Sequence, residues 1–301
     1  MSDVTYEGLT AIVTGAGGGL GRCHALALAD RGAKVVVNDL GGNADGTGAS
    51  ESMADRVVKE ILEAGGEAVA NHDSVATPEG GAAIVQTALD AFGGVDIVIN
   101  NAGILRDKSF AKIEPADFDI LVDVHLRGAF HVSQPAFKVM KERGFGRFVH
   151  TTSAAGLFGN FGQGNYAAAK MGLIGLSNVL AIEGAKANIN SNVIAPIAKS
   201  RLTENLLGPM AEVLAPELVT PLVAYLVSPG CSITHEIFSV GGGRVARVFI
   251  GLANGWYAGK DQSFTPEDVA AHIDEIRDTE GHIIPESITD EMMLLMSNLN
   301  G

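Results

Sequence analysis

Short β-branched runs recur along this chain, each followed by a segment of helix length, and this alternation constrains the fold more than any single motif. The runs are TAIVT near residue 10, KVVVN at 34, EAVAN at 67, VDIVIN at 95, RFVHTT at 147, INSNVIA at 189 and EIFSV at 236. Parallel strands need long crossover connections, and the intervening segments supply them. The runs are apolar throughout rather than alternating, as in a sheet covered on both faces. The pattern predicts an α/β fold, a doubly wound parallel sheet of about seven strands. With 301 residues, 47% of them hydrophobic and 19% charged, the chain has enough apolar material for one large core.

Two segments depart from the repeat. GGNADGTGAS at 41–50 is a Gly-rich polar insertion between the second strand and its helix, read as a surface loop. After about residue 245 the alternation stops. There Thr265, Pro266 and two acids open TPEDVAAHIDEI in the manner of a helix start, and ESITDEMMLLMSNL reads as a last short helix. The expected organisation is a main domain over 1–245 and a helical extension over 246–301, packed on the core or on a partner subunit.

A net charge of -14 and a pI near 4.9 argue against an extended field that attracts nucleic acid or an anionic membrane. Cys23 and Cys231 are too few for a disulfide framework. The N-terminus does not read as a signal peptide, no apolar run approaches the roughly 18–20 residues of a membrane span, and SNLNG is not a peroxisomal address. These features predict a soluble cytoplasmic protein with neither a nucleic-acid nor a membrane partner, and no metal site is expected.

At the first strand-to-helix junction stands VTGAGGGLGR. It does not satisfy G-x-G-x-x-G in any register, but it does satisfy T-G-x-x-x-G-x-G through Gly15, Gly19 and Gly21, with Leu20 between the last two. Glycines there let the backbone turn sharply and approach a pyrophosphate at a helix N-terminus. Asp39 ends the second strand at a distance suited to the adenosine ribose hydroxyls, and its carboxylate would repel a 2'-phosphate, so NAD is the expected cofactor rather than NADP. Asp73, Ser74 and Val75 close the third strand, and Asn101, Ala102 and Gly103 close the fourth, all directed at one crevice.

Tyr166 and Lys170 stand four apart in a helix expected to begin near Gly164, and therefore lie on one face. A free phenol has a pKa of roughly 10 and is a poor base at neutral pH. A neighbouring ammonium, together with an oxidised nicotinamide, favours the phenolate. Tyr166 is then the candidate base that removes a hydroxyl proton as hydride leaves carbon, and Lys170 is expected also to hold the nicotinamide ribose. Ser153, at the end of the fifth strand, is the candidate that orients and polarises the same oxygen. A nucleotide-binding scaffold without chemistry would have no need of all three groups.

These motifs together resemble the short-chain dehydrogenase/reductase family over about residues 8–243, with TGAGGGLG, NNAG, Ser153 and YAAAK in order. The resemblance implies a Rossmann-type domain in which the serine, tyrosine and lysine act as described. It further implies that Pro196, Ala198 and Ser200, in APIAKS, meet the nicotinamide carboxamide. His125 stands where many members carry an asparagine of a water-linked proton relay, which puts that relay in doubt. A narrower resemblance, through VVVNDLGG, NNAGILRDKSF, VHLRGAFHVSQ, GNFGQGNYAAAK and TPEDV, is to the (3R)-hydroxyacyl-CoA dehydrogenase units of type 2 peroxisomal multifunctional enzymes (17β-hydroxysteroid dehydrogenase type 4) and their stand-alone bacterial relatives. It implies oxidation of a fatty-acyl or steroid side-chain CoA thioester, with free steroids, or ketoacyl reduction, as the alternatives. Arg106, Lys108, Lys199 and Arg201 are the candidate cations for CoA. The resemblance also implies a homodimer or homotetramer, with Ala167, Ala168, Ala169, Gly172 and Gly175 permitting close helix approach.

Overall fold

The computed structural model describes residues 4–48, 52–199, 213–260 and 262–300. The apolar runs form strands β1 (Thr10–Thr14), β2 (Lys34–Asn38), β3 (Glu67–Asn71), β4 (Ile97–Asn100), β5 (Gly146–Thr151), β6 (Ile189–Pro196) and β7 (Ile237–Gly241). An eighth strand, β8 (Arg244–Val248), follows, and the spatial order is β3-β2-β1-β4-β5-β6-β7-β8. The first seven pair in parallel, with Val13 opposite Val37 on one side and Ile99 on the other. The expected count of about seven omits β8. Its RVARV is largely exposed, so it lacks the buried apolar signature, and Gly242 (φ +57°) with Gly243 (φ +79°) form the two-residue turn leading into it. So short a connection permits only antiparallel pairing.

Crossover helices α1 (Gly19–Ala29), α2 (Ser52–Glu63), α3 (Pro78–Phe92), α4 (Pro115–Val122), α5 (Gly128–Arg143), α6 (Ala154–Phe158), α7 (Gly164–Gly184) and α8 (Thr220–Leu226) cover the two faces. Helix α3 illustrates the local code: the Thr77 hydroxyl accepts from Gly80 N, Pro78 fills the first turn, and Gly93 ends the helix at φ +78°. On one face Ala25, Leu28, Val57, Ile61 and Val223 pack against Val13, Val37 and Ile99. On the other, Ile84, Val85, Val132, Ala136 and Leu180 pack against Ile12, Val98 and Phe148. Each fully buried Val or Ile contributes about 1.5–3 kcal/mol, so the sheet is held from both sides and its carboxyl edge is a rigid platform.

The order of strands reverses between β1 and β4, and the crevice outside their carboxyl ends is where such sheets bind ligands. Helices α4 and α5 are joined by a π-helical turn, Asp123–Arg127, which carries His125. The insertion after β2 is folded back on itself by Asn43 N donating to Thr47 O at 2.7 Å. It docks on the segment after β4, where Leu105 N donates to Ala44 O and Arg106 Nε to Asp45 O, each at 2.9 Å. Since β2 and β4 flank β1, the insertion crosses the carboxyl end of β1.

The chain divides into two compact units, 1–247 and 248–301. The second contains α9 (Pro266–Ala271), α10 (Ile273–Arg277) and α11 (Ile288–Asn300). Thr265 and Asp268 form a reciprocal capping box at the start of α9. Trp256 stacks on His272 with ring centroids 4.1 Å apart and meets Phe264 edge-on at 5.7 Å.

Candidate active site

The glycine loop is shaped by close approach. Gly15 has φ +63°, and a Cβ there would lie 2.7 Å from Ala102 Cα; a Cβ at Gly21 would lie 2.3 Å from Gly15 O. Only glycine lets β1 turn into α1 against the end of β4. The first turn of α1 contains no acidic residue, and its N-cap, Gly18, contributes no side-chain bond, so the helix dipole is uncompensated there. That end of the loop fits a dinucleotide pyrophosphate. Leu20, directly after Gly19, packs its side chain on the core.

Asp39 is buried, and its two oxygens accept from Gly17 N and Gly41 N, both at 2.7 Å. It joins the glycine loop to the start of the insertion, and each oxygen retains a further acceptor site. Asn71 Nδ2 donates to Asp73 Oδ2 at 2.7 Å, and Ser74 Oγ accepts from Ala76 N. Val75 is buried beside the cavity formed with Asn100, His125 and Lys170. The Asn101 amide donates to Thr14 O and Gly15 O, at 3.0 and 3.1 Å, and so braces the loop. Thr14, the threonine that opens the T-G-x-x-x-G-x-G motif and was given no role there, accepts from Asn101 N and Ala102 N on one hydroxyl. Its place immediately before Gly15 was the available signal.

Tyr166, Lys170 and Ser153 lie together beyond the end of β5. Ser153 is the N-cap of α6, with its Oγ accepting from Ala155 N at 3.2 Å, which leaves the hydroxyl proton free to be donated. A Cβ at Gly156 would lie 2.9 Å from Lys170 Cβ, so glycine lets α6 close on α7. Lys170 is buried, donates from Nζ to Thr151 O at 2.6 Å, and lies 5.6 Å from the centre of the Tyr166 ring. Thr152 Oγ1 donates to Lys170 O at 2.6 Å, pinning the same turn of α7 to the end of β5.

The electrostatics differ from the simple expectation. Burial raises the Tyr166 phenol above its ordinary value, a hydrogen bond with Ser153 pulls it down, and the Asp107 carboxylate pushes it up. Burial also drives the Lys170 ammonium down to about 7. In the protein alone desolvation therefore dominates the phenol, and Ser153 is the neighbour favouring phenolate.

His125 is buried, with Nε2 2.8 Å from Ile104 O and Nδ1 without a hydrogen-bond partner among the described residues. Its imidazole meets the Tyr166 ring edge-on at 5.2 Å. Burial, then the nearby Lys170, hold its pKa well below the ordinary value, against the hydrogen bond that Nε2 donates to the Ile104 carbonyl. Gly103 makes room for it, since a Cβ there would lie 2.6 Å from His125 Cε1.

Two of the candidate CoA cations, Lys108 and Arg106, share one acidic partner. Lys108 Nζ donates to Asp117 Oδ2 at 2.6 Å, and Arg106 lies 3.7 Å from Asp117 Oδ1. Asp117, on α4, offsets one of their two charges, a pairing the sequence did not reveal because Asp117 looks like an ordinary first-turn acid. Pro196 ends β6 and Ala198 is buried beyond it; Lys199 N donates to Leu214 O. Ser200 and Arg201 lie outside the described residues.

A doubly wound sheet with a glycine loop at its switch point defines a dinucleotide-binding oxidoreductase of the Rossmann type. The chain belongs to the short chain dehydrogenase family, which matches residues 9–206, and a nicotinamide dinucleotide is its cofactor. It is 48% identical over 298 residues to peroxisomal multifunctional enzyme A of Dictyostelium discoideum, covering 99% of this chain and 66% of that protein. It is 50% identical over 278 residues to the peroxisomal hydratase-dehydrogenase-epimerase of Saccharomyces cerevisiae, covering 92% of this chain and 31% of that protein. Among solved structures, full-length peroxisomal multifunctional enzyme type 2 of Drosophila melanogaster superposes with a TM-score of 0.82 at 38% identity, over 99% of this chain and half (50%) of that one. A 7α-hydroxysteroid dehydrogenase complexed with NADH and 7-oxo glycochenodeoxycholic acid superposes with a TM-score of 0.73 at 29% identity, over 81% of this chain and 98% of that one. The chain thus spans two thirds or less of the multifunctional enzymes it matches. Among the described residues no helix is long and apolar enough to cross a membrane.

Proposed function

We propose that this chain oxidises the 3-hydroxyl of a (3R)-hydroxyacyl-CoA to the 3-ketoacyl-CoA with NAD, using Tyr166 as base, Ser153 as the group that orients the reacting oxygen, and Lys170 as the holder of the ribose. The observation that carries the substrate reading is the match to multifunctional enzymes across nearly the whole chain, C-terminal unit included. When bound, the nicotinamide ring accepts the hydride from the carbinol carbon. The Tyr166 oxygen takes the hydroxyl proton as the C–O bond becomes a carbonyl, and the Ser153 hydroxyl donates to that oxygen throughout. Asp39 supports NAD over NADP, because a 2'-phosphate would meet a carboxylate.

Three exposed aromatics suit an apolar acyl chain: Phe158 and Phe161, on the stretch that links the Ser153 and Tyr166 turns, and Phe110, on the short helical turn after β4. Arg106 and Lys108, with Asp117 offsetting one of their two charges, remain candidate cations for the CoA phosphates. A homodimer or homotetramer remains part of this reading, through the small residues of α7, and light scattering tests it: a monomer removes it.

The deciding experiment compares (3R)- and (3S)-hydroxyacyl-CoA esters of graded length, with NAD and NADP, against free hydroxysteroids. Turnover of (3R)-esters with NAD is expected. The likeness to a 7α-hydroxysteroid dehydrogenase favours the second reading, and fast oxidation of free steroids with no CoA-ester turnover would establish it.

A further inference from the structure

We propose that Asn165 is a positioning residue for Tyr166, tying the backbone of the candidate base to the segment after β4 and to α4; this rests on the oxidoreductase reading above. Asn165 is fully buried in the first turn of α7. Its Nδ2 donates to Arg106 O and to Asp117 O, both at 3.1 Å, and its Oδ1 accepts from Tyr166 N at 2.9 Å. Both amide protons are used, and the acceptor acts on the one backbone N–H that belongs to the phenol-bearing residue.

An ordinary helix cap does not account for this arrangement. A cap residue precedes the helix and accepts from the second or third amide within it. Here the residue at the cap position, Gln163, makes no such bond, and its side chain donates instead to Asp107 Oδ2 at 2.8 Å. Asn165 lies inside the helix and reaches two other elements at once. The Arg106 carbonyl it holds is two residues beyond Ile104, whose carbonyl meets His125. The Asp117 carbonyl belongs to the residue whose side chain takes Lys108. Lys108 N donates to Gly162 O in the same seam, so the lead into α7 is fixed on both sides, and Asn165 is the member of the seam bonded to Tyr166 itself.

Phenol placement matters because Ser153, on the other side of the site, must reach the same reacting oxygen, and a misplacement of about 1 Å can cost on the order of 100-fold in rate. A buried amide whose three bonds are all made is a high-stakes joint: deleting it takes one hydrogen bond each from two carbonyls and from the Tyr166 N–H.

The test uses the full chain with Asn165→Ala, Asn165→Asp and Tyr166→Phe. The Tyr166 ionisation is followed by phenolate ultraviolet absorbance against pH, with and without NAD, taking Tyr166→Phe as the blank. In parallel, NAD affinity is measured by fluorescence titration and turnover with (3R)-hydroxydecanoyl-CoA. Asn165→Ala is expected to move the Tyr166 titration midpoint upward, by loss of the Ser153 hydrogen bond, and to lower kcat about 10- to 100-fold with NAD affinity within about threefold. Asn165→Asp keeps the acceptor for Tyr166 N but opposes a carboxylate to two carbonyls, and is expected to shift the midpoint in the same direction; it carries the decision if the alanine variant does not fold. An unchanged midpoint in the folded variant, whatever its melting temperature, overturns the proposal. If Tyr166→Phe keeps full activity, the base assignment itself fails and the positioning role falls with it. If Tyr166→Phe is inactive while both Asn165 variants titrate and turn over as the parent, the base stands and Asn165 is excluded.

Discussion

The imidazole of His125 stands nearly perpendicular, at 88°, to the phenol ring of Tyr166, with centroids 5.2 Å apart. The contact sets a buried, neutral imidazole against the candidate base, and its supporting bond to Ile104 O comes from the segment that also holds Asn165. His125→Ala is expected to destabilise the fold by about 2–4 kcal/mol, through a cavity and an unpaired carbonyl, and to lower turnover. Urea unfolding beside steady-state kinetics checks both parts; an unchanged kcat removes His125 from the site.

Gly103→Ala should act on the same contact from the other side. The added methyl would lie 2.6 Å from His125 Cε1, and displacing the ring is expected to cost about 1–3 kcal/mol. A variant as stable as the parent, with unchanged kcat, would mean that the ring moves freely.

Stability should vary with pH in two windows. Lys170 has its pKa lowered from 10.5 to about 7, so its contribution is fully present above 10.5 and is lost as pH falls to about 7. His24 and His150 are held down at about 3 by burial, so theirs is present above the ordinary histidine value and is lost as pH falls towards 3. Each group contributes a slope of up to about 1.4 kcal/mol per pH unit within its window. Urea midpoints from acid to alkaline pH should climb in both; Lys170→Met should flatten the upper one and, by removing a charge that helps hold His150 down, weaken the lower one.

Catalysis should depend on pH with the opposite sign in its two directions. Because burial raises the Tyr166 phenol, alcohol oxidation is expected to rise from neutral into alkaline pH and ketone reduction to fall. Initial rates in both directions across one buffer series measure this, and parallel profiles would exclude a single group serving both.

Asp39→Ala is expected to weaken NAD binding about tenfold or more and to narrow the preference over NADP, since it removes the carboxylate and frees Gly17 and Gly41 together. Equilibrium titration with each dinucleotide reads both effects.

Much of this was legible in the chain because it follows from local periodicity. Runs such as KVVVN and VDIVIN are apolar throughout because both faces of the sheet are covered, and Tyr166 and Lys170 share a face because four residues make about one turn. β8 was missed for the converse reason: RVARV is largely exposed, and a strand at an edge need not hide its side chains. The pairing of Lys108 with Asp117 was also out of reach, because it depends on how α4 returns to the segment after β4. Asn165 gave no signal at all, since a neutral amide between Gly164 and Tyr166 looks like filler until its three partners, set by tertiary contacts, are seen.

Surface connections usually accept extra residues without penalty. The stretch from Ile104 to Lys108 is of another kind, because Ile104, Leu105, Arg106 and Lys108 are claimed in turn by His125, Ala44, Asn165 and Gly162. Adding or deleting one residue there would throw all four out of step at once. Attempts to alter what this protein accepts should therefore leave the length of that stretch alone and begin at Phe158 and Phe161, whose side chains can be exchanged without unpicking a joint.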